Sequence, residues 1–273
     1  MLITKSAIIK NLRYKMNKIY LVLISFVLTA AFIYPQGSAG EEAKYEYRSL
    51  IDMQTAGILE KGFVGVTTDV LPEGVLIAKL EVGVFNNVSF GISYGGSNII
   101  GSGTPGWYKY PGVDLKIRLI NESAVFPAIT LGFDSQGKGK YFDQEKRFEI
   151  KSPGFFAAAS KNFGFLGYLS LHATINYSLE SSDGDNFTNL SIGAEKTLGP
   201  SVSLISDYNF AWNDNNPNGS FGKGNGYLNM GIRWAIGSGL TLGFDLRDLL
   251  DNKRFNPNAA DRAIRIEYIK SIF

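Results

Sequence analysis

Few residues in this chain offer a place for chemistry to start. The 273 residues hold a single histidine and no cysteine, which excludes a metal site built from several imidazoles or thiolates. His172 is the one side chain of the type whose ordinary titration range suits a general base near neutral pH. Gly101-Ser-Gly103-Thr-Pro-Gly106 spells G-x-G-x-x-G, but that pattern cradles a pyrophosphate only where a helix follows. No helical periodicity follows, and Pro105 with Trp107-Tyr108 reads as an ordered loop. Asp214, Asn216, Asn218 and Gly219 match the start of a calcium loop, yet Asn225 stands where the bidentate Glu belongs and Pro217 interrupts. Trp107, Tyr108 and Tyr110 have the rings to stack on sugars, and serve equally as loop packing or interfacial anchors.

The other ionisable groups take their meaning from the elements that carry them. Gly226 to Leu246 shows those elements most clearly: two alternating runs flank Gly237-Ser238-Gly239, which predicts a β-hairpin. Leu228, Met230, Ile232, Trp234, Ile236, Leu240, Leu242, Phe244 and Leu246 form a wholly apolar face. The opposite face carries Asn229, Gly231, Arg233, Gly243 and Asp245. Each run is about ten residues long, the length of a tilted strand crossing a bilayer in a closed barrel.

Twelve such runs are predicted: 62 to 70, 75 to 84, 88 to 95, 112 to 120, 125 to 134, 153 to 162, 168 to 179, 187 to 196, 202 to 212, 226 to 236, 240 to 247 and 263 to 272. The number is even, as single-chain bacterial barrels require. Short connections such as Asn86-Asn87 and Leu198-Gly199-Pro200 alternate with longer polar ones such as 96–111, 135–146 and 213–225. That is the pattern of periplasmic turns and outer loops, with both termini in the periplasm. The fold class is therefore all-β, a transmembrane antiparallel up-and-down barrel of about twelve strands.

Alternation then assigns a lumen-lining set: Lys79, Glu81, Asp114, Lys116, Arg118, Asp134, His172, Glu195, Asp207, Arg233, Asp245, Arg247, Arg265 and Glu267. Acidic and basic groups nearly balance, so pairing across a narrow lumen is expected, since an unpaired charge there loses solvation. If Gly237-Ser238-Gly239 pairs Ile236 with Leu240, Asp245 opposes Gly231 and Arg233 lies diagonal to Asp245. Glu81 opposes Gly91 by the same reasoning at Asn86-Asn87. Glycines at 83, 91, 132, 193, 231 and 243 point to a water-tolerant interior that can hydrate a charge placed at Asn229, whereas outward Ile232 cannot take one. His172 shares the polar face with Ser170, Thr174 and Asn176 and reads as a lumen-lining residue without a nucleophile. No enzyme activity, metal or cofactor is assigned.

A soluble secreted β-barrel binding a small ligand gives the same alternation, because periodicity does not say which face points inward. The aromatics separate the two. Tyr94, Phe133, Tyr177, Phe210 and Trp212 gather toward the loops and Trp234 and Tyr268 toward the turns, as two interfacial girdles. The chain ends in Phe273, expected to address the barrel-assembly machinery, although it falls out of phase with Ile264, Ile266 and Tyr268.

Residues 1–40 read as a signal peptide: Lys5, Lys10, Arg13, Lys15 and Lys18 precede the apolar run Ile19 to Tyr34, and Gly37-Ser38-Ala39-Gly40 offers small residues for cleavage. Met16 is an alternative start. A membrane anchor is disfavoured by the short run, and a lipoprotein is excluded because no Cys follows it. Residues 41–61 are expected as a periplasmic N-terminal segment and 62–273 as the barrel. The leader holds five of the 27 basic residues and none of the 25 acidic ones. What remains is mildly acidic, without the basic footprint that nucleic acid requires.

Arg48-Ser-Leu-Ile-Asp-Met-Gln-Thr-Ala-Gly-Ile-Leu-Glu-Lys-Gly62 resembles the opening of the YjbH-like barrels associated with exopolysaccharide production. Gly193-Ala-Glu-Lys-Thr-Leu-Gly-Pro200 and the terminal Phe are similar to envelope barrels more broadly. The resemblance implies an accessory part in surface polysaccharide secretion, with export components as partners and no catalytic residues to carry over. Two functions stay open: a passage or docking element for a solute or polymer in contact with outer-membrane lipid, and a structural or assembly barrel with a plugged interior.

Overall fold

The computed structural model describes residue 40 and residues 45–216, 219, 221–254 and 260–272. Nearly all of the expected leader, Asn218 of the calcium-like loop and Phe273 lie outside the described residues.

Alternation of apolar and polar side chains sets the strands, in chain order β1 (Phe63–Leu71), β2 (Val75–Phe85), β3 (Val88–Ser97), β4 (Gly106–Trp107), β5 (Gly112–Ile120), β6 (Ala128–Asp134), β7 (Lys138–Phe142), β8 (Arg147–Ile150), β9 (Gly154–Gly164), β10 (Tyr168–Tyr177), β11 (Asn189–Thr197), β12 (Val202–Asn209), β13 (Tyr227–Gly237), β14 (Leu240–Arg247) and β15 (Asp261–Ser271). Twelve of them form a ring of antiparallel neighbours, β1-β2-β3-β5-β6-β9-β10-β11-β12-β13-β14-β15. The ring closes where β1 pairs with β15, from Phe63 opposite Ser271 to Val70 opposite Ile264. Closure removes the open edges that lipid could not satisfy.

All twelve expected runs are present, and their ends show where local chemistry overrides alternation. The run expected to 212 stops at Asn209; Ala211 takes a left-handed φ of 51° and a 3-10 turn follows at Trp212–Asp214. The loop expected at 135–146 instead folds, with the residues after it, into the hairpin β7–β8. At the β13–β14 turn Gly237, not Ile236, faces Leu240; a bulge absorbs the offset, so Gly231 still opposes Asp245 and Arg233 opposes Gly243. A similar bulge between Gly83 and Phe85 leaves Glu81 opposite Gly91.

Ile92, Leu131, Ile175, Ile192, Ile232, Phe244 and Ile264 stand exposed around the outside, and Asp114, Lys116, Arg118, Asn229 and Arg233 are buried inside. A soluble barrel would turn the apolar face inward, and a continuous exposed apolar belt of this extent belongs in lipid. Of the expected girdle, Tyr94, Tyr177, Trp212, Trp234 and Tyr268 are exposed, while Phe133 and Phe210 are half-buried. This is an outer-membrane barrel.

The segment read from the sequence as periplasmic lies, over residues 46–59, inside the barrel. Tyr47, Arg48, Leu50, Ile51, Met53, Gln54, Thr55, Ala56, Ile58 and Leu59 are all buried. The chain enters beside Gly40, whose N–H donates to Ser203 Oγ at the turn end of β12 (2.7 Å). It climbs to a tip at 50–53, where the N–H of Leu50 donates to the Met53 carbonyl (2.9 Å), then descends to feed β1. Ser49 bridges Gln54 across this finger, and Thr55 N–H donates to the Arg48 carbonyl (3.2 Å). The finger therefore satisfies part of its own backbone, and the barrel wall satisfies the rest.

Candidate functional site: the plugged lumen

Twelve strands enclose more space than their own side chains fill, and the inward glycines make the space larger. That space holds protein, not water as the glycines suggested. A Cβ at Gly193 would lie 2.4 Å from a methyl of Leu50, and one at Gly83 would lie 1.8 Å from the Glu60 carbonyl oxygen. Gly91, Gly231 and Gly243 make room instead for Glu81, Asp245 and Arg233 from the neighbouring strands.

Most of the inward charges meet the finger, and fewer than expected pair with each other across the lumen. Arg48 inserts between walls: Nε donates to Glu81 (2.8 Å) and Nη2 to Glu267, with all three side chains nearly buried. Lys116, without exposure, donates to the Arg48 carbonyl and toward Gly57 O (3.5 Å). Arg118 reaches the Ala56 carbonyl (2.7 Å) and pairs with Glu46. At the tip, one oxygen of Asp207 accepts the backbone N–H groups of Ile51, Asp52 and Met53 (2.8, 2.9 and 3.3 Å). Three successive amides converging on one carboxylate hold the anion without a basic side chain. Arg247 grips Asp52 (2.9 Å) beside it. Arg265 holds Asp69 (2.7 Å) and donates to the Leu50 carbonyl (2.6 Å), and Asp69 also pairs with Lys138.

Besides Arg265 with Asp69 across the closing seam, three further contacts form wall to wall. Arg233 and Asp245 make the diagonal fork expected from register, with 2.5 and 3.1 Å contacts, while Arg233 also points at the Leu50 carbonyl (3.4 Å). Lys79 pairs with Asp114 and, at 3.5 Å, with Asp134, which also accepts from Gln54 (2.8 Å). Glu195 accepts from Ser203 (2.6 Å). Asn229 does not face water: it is fully buried, bonding Asp207 (2.7 Å), Asp52 (3.1 Å) and the Asp248 amide (2.9 Å), so an inserted charge there would meet the plug.

His172 is buried on the inner face as expected, but it does have a hydroxyl neighbour: Ser160 Oγ lies 2.8 Å from Nδ1. That oxygen also accepts the Ala56 N–H (3.0 Å), which ties the serine to the plug. The pair thus completes plug docking, and among the described residues no carboxylate touches the ring to orient it as a base. Asp214 of the calcium-like loop is likewise committed, to Arg147 (2.7 Å) and to the Tyr227 hydroxyl (2.6 Å). The G-x-G-x-x-G residues lie exposed. Tyr108 packs in the core against Phe148 (4.9 Å, edge to face), and Trp107 stacks on Tyr94 (5.9 Å), so both serve packing.

Sequence reasoning missed Arg48, Asp52, Gln54, Asp69 and Lys138. Asp69 was findable, since alternation in β1 puts it in phase with Gly65 and Thr67. The finger residues carry no periodicity to find.

Above the finger, on the loop side, a chamber remains, with about 80 Å³ open to the centres of water molecules. Its floor is the finger tip and Arg48. One wall is charged (Lys79, Glu81, Asp69, Arg265), and the opposite wall is amide and hydroxyl: Thr174, Asn176, Asn189, Ser191 and Asn209. The β7–β8 hairpin leans over it. Arg147 of β8, its side chain wholly buried, bonds Asp183 (2.6 Å) and Asp214 and lies 3.7 Å over the Phe221 ring. Among these loop acids, burial raises Glu180 and Asp214 above their ordinary values. Burial also pushes Asp183 up, but hydrogen bonds from Lys151 and Arg147 outweigh it and hold that carboxyl below its usual value.

The sequence matches no family model and no curated protein. Among solved structures, it is similar to the KdgM porin at 7% identity, over 77% of this chain and 99% of that one, with a TM-score of 0.45. The NanC porin is similar at 8% identity, over 77% and 100%, with a TM-score of 0.42. Outer membrane phospholipase A from Escherichia coli gives 10% identity over 78% and 91%, with a TM-score of 0.32.

Proposed function

We propose that this barrel handles small polar solutes at the outer membrane, as an accessory passage or docking component that its own N-terminal finger closes at rest. The observation that carries the reading is the polar chamber left above residues 46–59. The residues that resemble the YjbH-like barrels, 48–62, are the finger and the entry to β1. That overlap extends the proposal to surface polysaccharide secretion, with export components as partners of the finger or the loops. The density of bonds to the finger favours a second reading, a structural or assembly barrel whose interior stays filled.

Conductance separates the two. Intact barrel in planar bilayers should pass little current with little ion selectivity. The same barrel lacking residues 41–60, with folding checked by heat-modified gel migration, should conduct in clear steps. A folded truncated barrel that passes no more salt than the intact one would exclude passage.

A further inference from the structure

We propose that the chamber is a binding site for a neutral polyhydroxylated solute of monosaccharide size, and that the finger supplies part of it. This rests on the solute-handling reading above and names the solute class.

Three residues that line the chamber carry buried polar atoms without a partner: Arg48 Nη1, Gln54 Oε1 and Glu81 Oε1. Each residue is more than nine-tenths buried, and the first two belong to the finger. One atom is a donor and two are acceptors. A hydroxyl both donates and accepts, so a polyol answers this mixed set, whereas a carboxylate or an ammonium answers only half of it. Leaving such atoms without a partner is costly in a buried setting.

Charge argues the same way. The floor and charged wall hold their ions in closed groups: Arg48 with Glu81 and Glu267, Lys79 with Asp114 and Asp134, Arg265 and Lys138 with Asp69. A charged solute would have to break one of these groups to gain a partner of its own. A neutral one binds beside them. Across the chamber Asn189 donates to Asn176 (3.3 Å) and Asn209 (2.8 Å), a carboxamide row on three adjacent strands. Ile51, Ile77 and Ile150 add apolar patches suited to the C–H face of a sugar ring.

Titration calorimetry of the intact folded barrel in detergent, with D-glucose, D-glucuronate and D-glucosamine as probes, tests the proposal. Glucose should give saturable heat, and both charged analogues should bind more weakly. Gln54→Met and Asn209→Leu should each weaken glucose by about fivefold, the worth of roughly one neutral hydrogen bond. If Gln54→Met does not fold, Asn209→Leu, on the barrel wall, decides. No saturable heat with glucose, equal or tighter binding of a charged analogue, or unchanged affinity in the folded variants would each overturn the site. Calorimetry needs no flux: a barrel that binds glucose yet stays non-conducting after truncation keeps this site and loses the passage reading.

Discussion

Truncating Arg48 to Ala should loosen the finger by a predictable amount. Among the described residues the guanidinium is the one cation bonded to both Glu81 and Glu267, and side-chain exposures are only 4%, 4% and 13%. Removing one partner of such a buried group costs about 3 to 5 kcal/mol, because the charge left behind is uncompensated. The lost contacts exist only when the finger is docked, so the cost falls on docking. It should raise the undocked population roughly 100- to 4,000-fold. The chain has no cysteine, so Thr55→Cys, at a position without exposure, provides a unique label. Its reaction with a small maleimide should accelerate by a factor of that order in the Arg48→Ala background. Neutralising the whole triad, with Arg48→Met, Glu81→Gln and Glu267→Gln together, should return most of the protection. A labelling rate within twofold of the parent, in a folded barrel, would refute the idea that Arg48 pins the finger.

Asp245→Ala alone strands the Arg233 guanidinium, which is 2% exposed, and should cost about 3 to 5 kcal/mol of folding into vesicles. Arg233→Ala with Asp245→Ala should recover part of that and raise conductance, and a double variant no more stable than the single would contradict the pairing. Ile232→Arg, on the lipid face, should cost about 2 to 4 kcal/mol, while Asn209→Arg, which opens into the chamber, should fold; equal tolerance would reverse the face assignment. Ser160, tied to Ala56, should resist fluorophosphonate, and His172→Ala should abolish no esterase activity; stoichiometric labelling of Ser160 would reopen the enzyme reading. The loop acids set a pH dependence at the mouth. The contribution of Asp183 is fully present above the ordinary aspartate value of 3.8 and is lost as pH falls through its lower folded value, whereas Glu180 and Asp214, raised by burial, favour the closed hairpin as they protonate. The Phe148 amide donates to Glu180 (2.9 Å), so its hydrogen-exchange protection, taken relative to the intrinsic rate at each pH, should hold through mildly acidic pH and fall only below 3.8, and a loss of protection near pH 5 would contradict this assignment.

Strand positions, the lipid face and even the Arg233–Asp245 diagonal were legible because a period of two fixes which side chains share a face, and register then fixes who meets whom. The finger was not. Residues 46–59 follow neither period, since their burial is set on every side by a wall built from later sequence. One indirect signal was available. Glycines at 83 and 193 leave holes that balanced wall charges do not fill, and a barrel of this width with such holes needs a guest. The β7–β8 hairpin escaped for a related reason: Arg147 and Phe148 sit in a loop of polar appearance, and only Asp183, Asp214 and Tyr108, distant in sequence, give them a place.

The finger and the closing seam also constrain the order of assembly. Residues 46–59 lead directly into β1, and β1 must zip to β15, the last strand of the ring in chain order, before the ring is shut. A closed ring would have to be entered from its turn end by a segment whose bonds reach up to Asp207 and Arg247. Docking while the β1–β15 seam is still open avoids that threading and lets the wall charges find finger partners before lipid encloses them. Closure then joins residues some two hundred positions apart, a loop of high entropic cost. The bonds already made to the finger by β2, β5 and β12 would draw the two ends of the sheet into a common curve, making the guest a template on which the vessel is coopered.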